Sequence, residues 1–216
     1  MSVHIFAFLK FGNFENILDL YENGTIYMNP IEYFRKTEDG NLSGDEYEGA
    51  TRVINSLPGT LRIPNVDKDF QYKKIHIKES FETILGNIFS LYAISSHGFT
   101  NPNEFKIDDR NKSFGTHGLL IKDVNYFIKS IEKILLEKKK EFYHGFVEYY
   151  EKTSSCKNDI TLFEKPNEFE YQKEFRFLVF NDKVEPIKFQ IGSLHNVAEI
   201  HEMNVITQIE LKLKNL

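Results

Sequence analysis

Phe169-Glu170-Tyr171-Gln172-Lys173-Glu174-Phe175-Arg176-Phe177-Leu178-Val179-Phe180 is the stretch on which the reading of this chain turns. Taken as an extended strand, it sends alternate side chains to opposite faces. One face carries Phe169, Tyr171, Phe175, Phe177 and Val179, interrupted by Lys173. The other carries Glu170, Gln172, Glu174 and Arg176 before Leu178 and Phe180 restore apolar character. A strand apolar enough to be central, yet bearing a carboxylate, an amide, a carboxylate and a guanidinium in a row, is a candidate site wall. The same row also suits a solvated sheet face on which Glu174 and Arg176 meet cross-strand partners.

At the other end of the chain, Val3 to Phe11 alternates as a second strand, with Phe6, Phe8 and Lys10 on one face. Asn13 suits a helix N-cap, and Phe14, Ile17, Leu18 and Tyr21 follow at i, i+3, i+4 and i+7. Asn23-Gly24 closes that helix through a left-handed residue. Thr25 to Asn29 reads as a strand, and Pro30 opens a short helix from Ile31 to Phe34. The clearest helix follows Asp123, with Phe127, Ile128, Ile131, Ile134 and Leu135 as its core face and Lys138 to Lys140 at its end, where positive charge suits the dipole. Further strands are expected over 72–78, 88–94, 114–122, 142–150, 160–163, 187–191 and 205–213. Hairpins and loops are expected over 51–69, and a long loop over 97–113. The inventory is α+β in one domain over residues 1–216, with mixed, mostly antiparallel sheets and two or three packed helices.

The 216 residues carry a net charge of −5, which disfavours bulk binding to duplex nucleic acid and leaves only a local basic groove as an option. The single Cys156, in the polar run 153–158, excludes an intramolecular disulfide and reads as a loop thiol in a cytoplasmic protein. No apolar run approaches the roughly 20 residues of a membrane span. Seven scattered histidines form no HExxH pair, so no metal site is proposed from them. Neither a P-loop nor a G-x-S-x-G elbow is present.

Two motifs occur together. Phe8-Leu9-Lys10-Phe11, a helix, Gly24-Thr25-Ile26-Tyr27-Met28-Asn29-Pro30 and Glu32-Tyr33-Phe34-Arg35 form the first; Tyr171-Gln172-Lys173-Glu174-Phe175-Arg176 forms the second. In that order, with Ile88-Phe89-Ser90-Leu91-Tyr92 and Phe114-Gly115 between them, they resemble an uncharacterised bacterial family often found near abortive-infection and phage-defence genes. The chain departs from that pattern after Phe34, where Arg35-Lys36-Thr37 replaces Asn-Asp-Pro. The arrangement also resembles the ADP-ribosyltransferase fold, whose members close on a strand with a catalytic Glu preceded two residues earlier by Gln or Glu. That resemblance implies NAD as substrate, a toxin-like defence effector, and a protein or nucleic-acid acceptor. It implies Glu174 as the carboxylate that stabilises an oxocarbenium-like state, Gln172 as the residue that orients the acceptor, and Lys10, Tyr27, Arg35 and Arg176 at the dinucleotide.

Two other function classes fit. A non-catalytic sensor would use the polar strand face for contact. A metal-dependent nuclease would use the glycine-rich acidic segment from Glu38 to Glu48, with Glu38, Asp45 and Glu48 as ligands. That segment also reads as a solvated loop.

Overall fold

The computed structural model describes residues 4–36, 47–96, 105–151 and 156–210. Its strands are β1 (Ile5–Gly12), β2 (Thr25–Pro30), β3 (Ala50–Ser56), β4 (Gly59–Arg62), β5 (Asp69–Tyr72), β6 (Ile75–Ser80), β7 (Asn87–Ser95), β8 (His117–Ile121), β9 (Phe142–Phe146), β10 (Glu148–Tyr150), β11 (Cys156–Lys157), β12 (Glu164–Pro166), β13 (Glu174–Val179), β14 (Ile187–Gln190) and β15 (Ala198–Glu202). The helices are α1 (Phe14–Asn23), α2 (Ile31–Lys36), α3 (Val124–Glu137) and α4 (Met203–Ile206), with 3₁₀ turns at Asp109–Phe114 and Asn167–Gln172. The architecture is α+β around one mostly antiparallel sheet. Among the described residues, no helix is long and apolar enough to cross a membrane.

β7 organises the main sheet. Nine residues long and almost wholly buried, it pairs along one edge with β13, from Glu174↔Tyr92 to Val179↔Asn87. Its other edge is shared. β1 takes the C-terminal half, from Ile5↔Ser95 to Leu9↔Tyr92, and β2 takes Ile88 and Asn87. β1 and β2 therefore part beside Phe89, Ser90 and Leu91. Outside them, β8 and β15 extend the sheet from β1, β14 extends it from β2, and β9 extends it from β13.

One sheet face carries Phe8, Phe89, Leu91, Phe175, Phe177 and Val179, covered by α1 and α3. Asn13 caps α1 by accepting from the Asn16 amide, and Gly24 closes it at φ 62°. A side chain at Gly24 would meet the Gly192 carbonyl oxygen at 2.0 Å, so the chain approach there also requires glycine. Within α1, Ile17 and Leu20 are the buried residues and Phe14 is exposed, so the core face is rotated from the expected one. Along α3, Phe127, Ile131 and Leu135 are fully buried, with Ile128 and Ile134 packed beside them, as the 3.6-residue period indicates. The opposite sheet face holds two apolar clusters. One gathers Leu9, Tyr92, Ile94, Phe105 and Ile107; the other gathers Ile31, Ile84, Ile88 and Leu178. Polar side chains occupy the interval between them.

Several expectations need correction. Asn167–Gln172 is a 3₁₀ turn rather than the first half of a strand, and Lys173 sits at φ 40° before the strand begins at Glu174. The expected strand over 160–163 is a turn, and 205–206, expected to open the strand over 205–213, are the last residues of α4. The stretch 142–150 is two strands, and β15 was missed. Cys156 belongs to β11, where it pairs with Ile54, and not to a loop.

Candidate functional site

The interval between those apolar clusters is a cavity of about 230 Å³. β13 supplies Glu174 and Arg176, whose two-residue spacing sends both to the same face. β7 supplies Ser90 and Tyr92, the 3₁₀ turn at 167–172 supplies Gln172, and β12 supplies Lys165. β1 contributes Lys10, β2 contributes Tyr27 and Asn29, and the turn at 109–114 contributes Asn111 and Phe114.

Lys10 stands in the gap between β1 and β2. Its Nζ donates to the Ser90 carbonyl oxygen at 2.8 Å and lies 4.3 Å from the centre of the Phe89 ring. The ammonium thus serves a β7 carbonyl in the stretch that neither neighbouring strand pairs. Burial lowers its pKa to about 8, with Glu174 pulling the other way. A second cavity, of about 490 Å³, lies toward α1 and shares Lys10, Phe11, Tyr27 and Asn29 with the first.

Glu174 is 3% exposed and Arg176 fully buried. Arg176 Nε donates to Glu174 Oε1 at 2.8 Å, while Nη1 and Nη2 donate to Glu48 Oε1 and Oε2 at 2.6 and 3.0 Å. Nη1 also donates to the Leu162 carbonyl oxygen. Lys165 Nζ lies 2.9 Å from Glu174 Oε2 and 3.9 Å from Glu48 Oε2. Ser90 Oγ donates to Glu174 Oε1 at 2.5 Å. Two buried carboxylates and two cations thus form a neutral quartet, the arrangement that makes burial of such charges tolerable. Burial alone would raise the Glu174 carboxyl, but Arg176 and Lys165 outweigh it and hold the group well below the usual carboxylate range. Arg176 is raised in turn: desolvation opposes its charge, and Glu174 and Glu48 overcome that opposition.

Lys10, Tyr27, Gln172, Glu174 and Arg176, all singled out from sequence, line this one cavity. Lys10 and Glu174 arrive from strands on opposite edges of β7. Gln172 projects from a 3₁₀ turn and accepts from Lys165 at 3.1 Å, so it does not share a strand face with Glu174. Arg35 is outside both cavities. It pairs with Glu32 and donates to Ser80 Oγ and the Phe81 carbonyl oxygen, because α2 turns its last residues toward β6 and the segment after it.

Glu48, offered as a nuclease ligand, is buried with both oxygens on Arg176. Glu38 and Asp45 lie outside the described residues. Among the described residues, no group of three or more His, Cys, Asp or Glu is placed to hold a metal ion.

Sequence reasoning missed Ser90, Asn111 and Lys165. Ser90 had a readable signal, as the polar residue within the apolar run Ile88-Phe89-Ser90-Leu91-Tyr92. Lys165, between Glu164 and Pro166, had none. No family model, curated protein or solved structure matches the chain, so what the site does is argued from its own chemistry.

Proposed function

We propose that the cavity binds NAD⁺ and that the protein transfers its ADP-ribose group, as expected of an effector in cellular defence, with Glu174 as the catalytic carboxylate. The observation that carries the reading is the convergence of a cation on β1, Lys10, and an ionised, immobilised carboxylate on β13, Glu174, in one cavity where the sheet parts. Heterolysis of the bond between the nicotinamide nitrogen and ribose C1′ leaves the electron pair on nicotinamide and positive charge on the ribose. A carboxylate already ionised and held by Ser90, Arg176 and Lys165 stabilises that charge without reorganising. An acceptor nucleophile, either water or a hydroxyl or amine of a macromolecule, then bonds to C1′ and gives up its proton to solvent water. Lys10 holds a phosphate oxygen between the two cavities, and the larger cavity toward α1 takes the remainder of the dinucleotide.

A second reading has its own support. Both Glu174 oxygens already have protein partners, which suits a binding module whose quartet is structural.

Glu174→Gln separates the two. In the transferase reading, NAD⁺ consumption per folded molecule falls about a hundredfold or more. Because the substitution also unbalances a buried quartet, the folded fraction is measured by circular dichroism alongside turnover. Undiminished consumption by folded Glu174→Gln would overturn the transferase reading. A wild type that binds NAD⁺ without consuming it, with acceptors present, would establish the binding module.

A further inference from the structure

The larger cavity, toward α1, is lined by a carboxylate that is held through one oxygen and open at the other. Asp19 Oδ1 accepts from Asn23 Nδ2 at 2.8 Å and from Thr25 Oγ1 at 2.9 Å. Those two donors fix the carboxylate and hold its pKa below the ordinary value, so the group is ionised at neutral pH. Among the described residues Oδ2 has no hydrogen-bond partner. Its ion pair with Lys188 Nζ, on a second side chain lining the cavity, spans 3.8 Å, longer than a hydrogen bond. The Lys188 and Asp19 side chains are 60% and 39% exposed, so the space between them is open to a ligand. A loose, exposed pair of this kind contributes little to stability.

The strands connect this pair to the rest of the site. Thr25 and Tyr27 alternate to one face of β2, and β14 sets Gln190 opposite Thr25 and Lys188 opposite Tyr27. Asp19 reaches the same face from α1 through its bond to Thr25. Tyr27 is thus the cross-strand neighbour of Lys188, and together with Lys10 it lines both cavities. At about 490 Å³, the larger cavity falls within the range of roughly 300–1,000 Å³ usual for small-ligand sites. An ionised acceptor and an ammonium 3.8 Å apart suit hydroxyl groups, which donate to the one and accept from the other. Two neighbouring hydroxyls can engage both at once.

We infer that Asp19 and Lys188 bind the vicinal 2′,3′-diol of the adenosine ribose, and that Asp19 thereby selects a free 2′-hydroxyl over a 2′-phosphate. This rests on the NAD⁺ reading and assigns the adenosine end to the larger cavity, with Lys10 at the boundary between it and the cavity of Glu174. A 2′-phosphate has no hydroxyl to donate to Asp19 Oδ2 and sets negative charge against it. Lys188, largely in solvent and already beside Asp19, offsets only part of that repulsion.

The test is calorimetric titration of the wild type with non-hydrolysable analogues of NAD⁺ and NADP⁺, which differ by the 2′-phosphate alone. The phosphorylated analogue is expected to bind about ten- to a hundredfold more weakly. Asp19→Asn keeps an oxygen for Asn23 and Thr25 and puts an amide nitrogen in place of Oδ2. In that variant, with folding checked by circular dichroism, the two affinities should approach one another. Should it fail to fold, Lys188→Met on the edge strand β14 takes its place: with the carboxylate no longer offset, the preference should widen. Equal wild-type affinities, or tighter binding of the phosphorylated analogue, would overturn the assignment of Asp19 and leave the NAD⁺ reading intact. So would a ratio unchanged in folded Asp19→Asn, or one that does not widen in Lys188→Met. Failure of both analogues to bind would overturn both.

Discussion

Replacing Arg176 by Met keeps much of the side-chain volume and removes the charge that joins Glu48 to Glu174. Arg176 makes three hydrogen bonds to the two carboxylates, at 2.6, 2.8 and 3.0 Å, and a fourth to a backbone carbonyl. Without it, Lys165 is the cation left between the two carboxylates, 2.9 Å from Glu174 and 3.9 Å from Glu48, with Ser90 still donating to Glu174. Removing one partner of a buried pair costs about 3–5 kcal/mol because the other charge remains buried. That is a large share of the roughly 5–15 kcal/mol that holds a domain together.

The loss has a pH signature. Glu174 has a folded-state pKa below its unfolded value of about 4.3, so its contribution is fully present above that pH and is lost as pH falls below it. In Arg176→Met the carboxyl rises back, and that contribution disappears. The gap between wild type and variant should therefore be widest near neutrality and narrow below about pH 4. Urea unfolding followed by circular dichroism at neutral and acid pH measures both effects. Added salt should change the neutral-pH gap little, because the pair is buried. A gap under about 1 kcal/mol at neutral pH, or one that stays constant into acid, would refute the buried quartet as a source of stability.

Two further outcomes are expected. Ile131 is fully buried on the core face of α3, so Ile131→Ala should cost about 2–5 kcal/mol in the same unfolding assay, and a loss well under 1 kcal/mol would mean that the helix face is not core. Glu174→Gln should lower stability as well as turnover, leaving Arg176 and Lys165 opposed by Glu48 alone; a turnover loss with unchanged thermal unfolding would contradict the double role of Glu174 as cavity wall and quartet member.

The legible parts of this chain were those where local chemistry decides the outcome. α1 has a side-chain cap at Asn13 and a left-handed glycine at its end, and α3 has an apolar stripe of the right period. Lys10 and Glu174 stood out because each puts a charge on an otherwise aromatic strand, which requires a partner. The segment 167–173 was misread because a short 3₁₀ turn and a strand carry the same mixture of aromatic and polar residues. Lys173, a non-glycine residue at φ 40°, resets the alternation without announcing itself. α4 was misread for a related reason: Val205 and Ile206 stand side by side at the head of a run read as a strand, and two residues are too short a span to separate a helical turn from a strand. Glu48 and Lys165 reach the site only through tertiary placement, one after α2 and the other on β12, and no spacing relates them to Glu174.

The claim that ties these observations together is that Lys10 and Glu174 share one dinucleotide cavity, and the pH dependence of affinity tests it most directly. With a non-hydrolysable NAD⁺ analogue and wild-type protein, calorimetry from neutral to alkaline pH should show binding at neutrality. Affinity should fall as pH rises through about 8, where burial brings Lys10 to the loss of its proton and with it the charge that holds the phosphate. An affinity that stays level across that range, or an analogue that does not bind at neutral pH, would contradict the account.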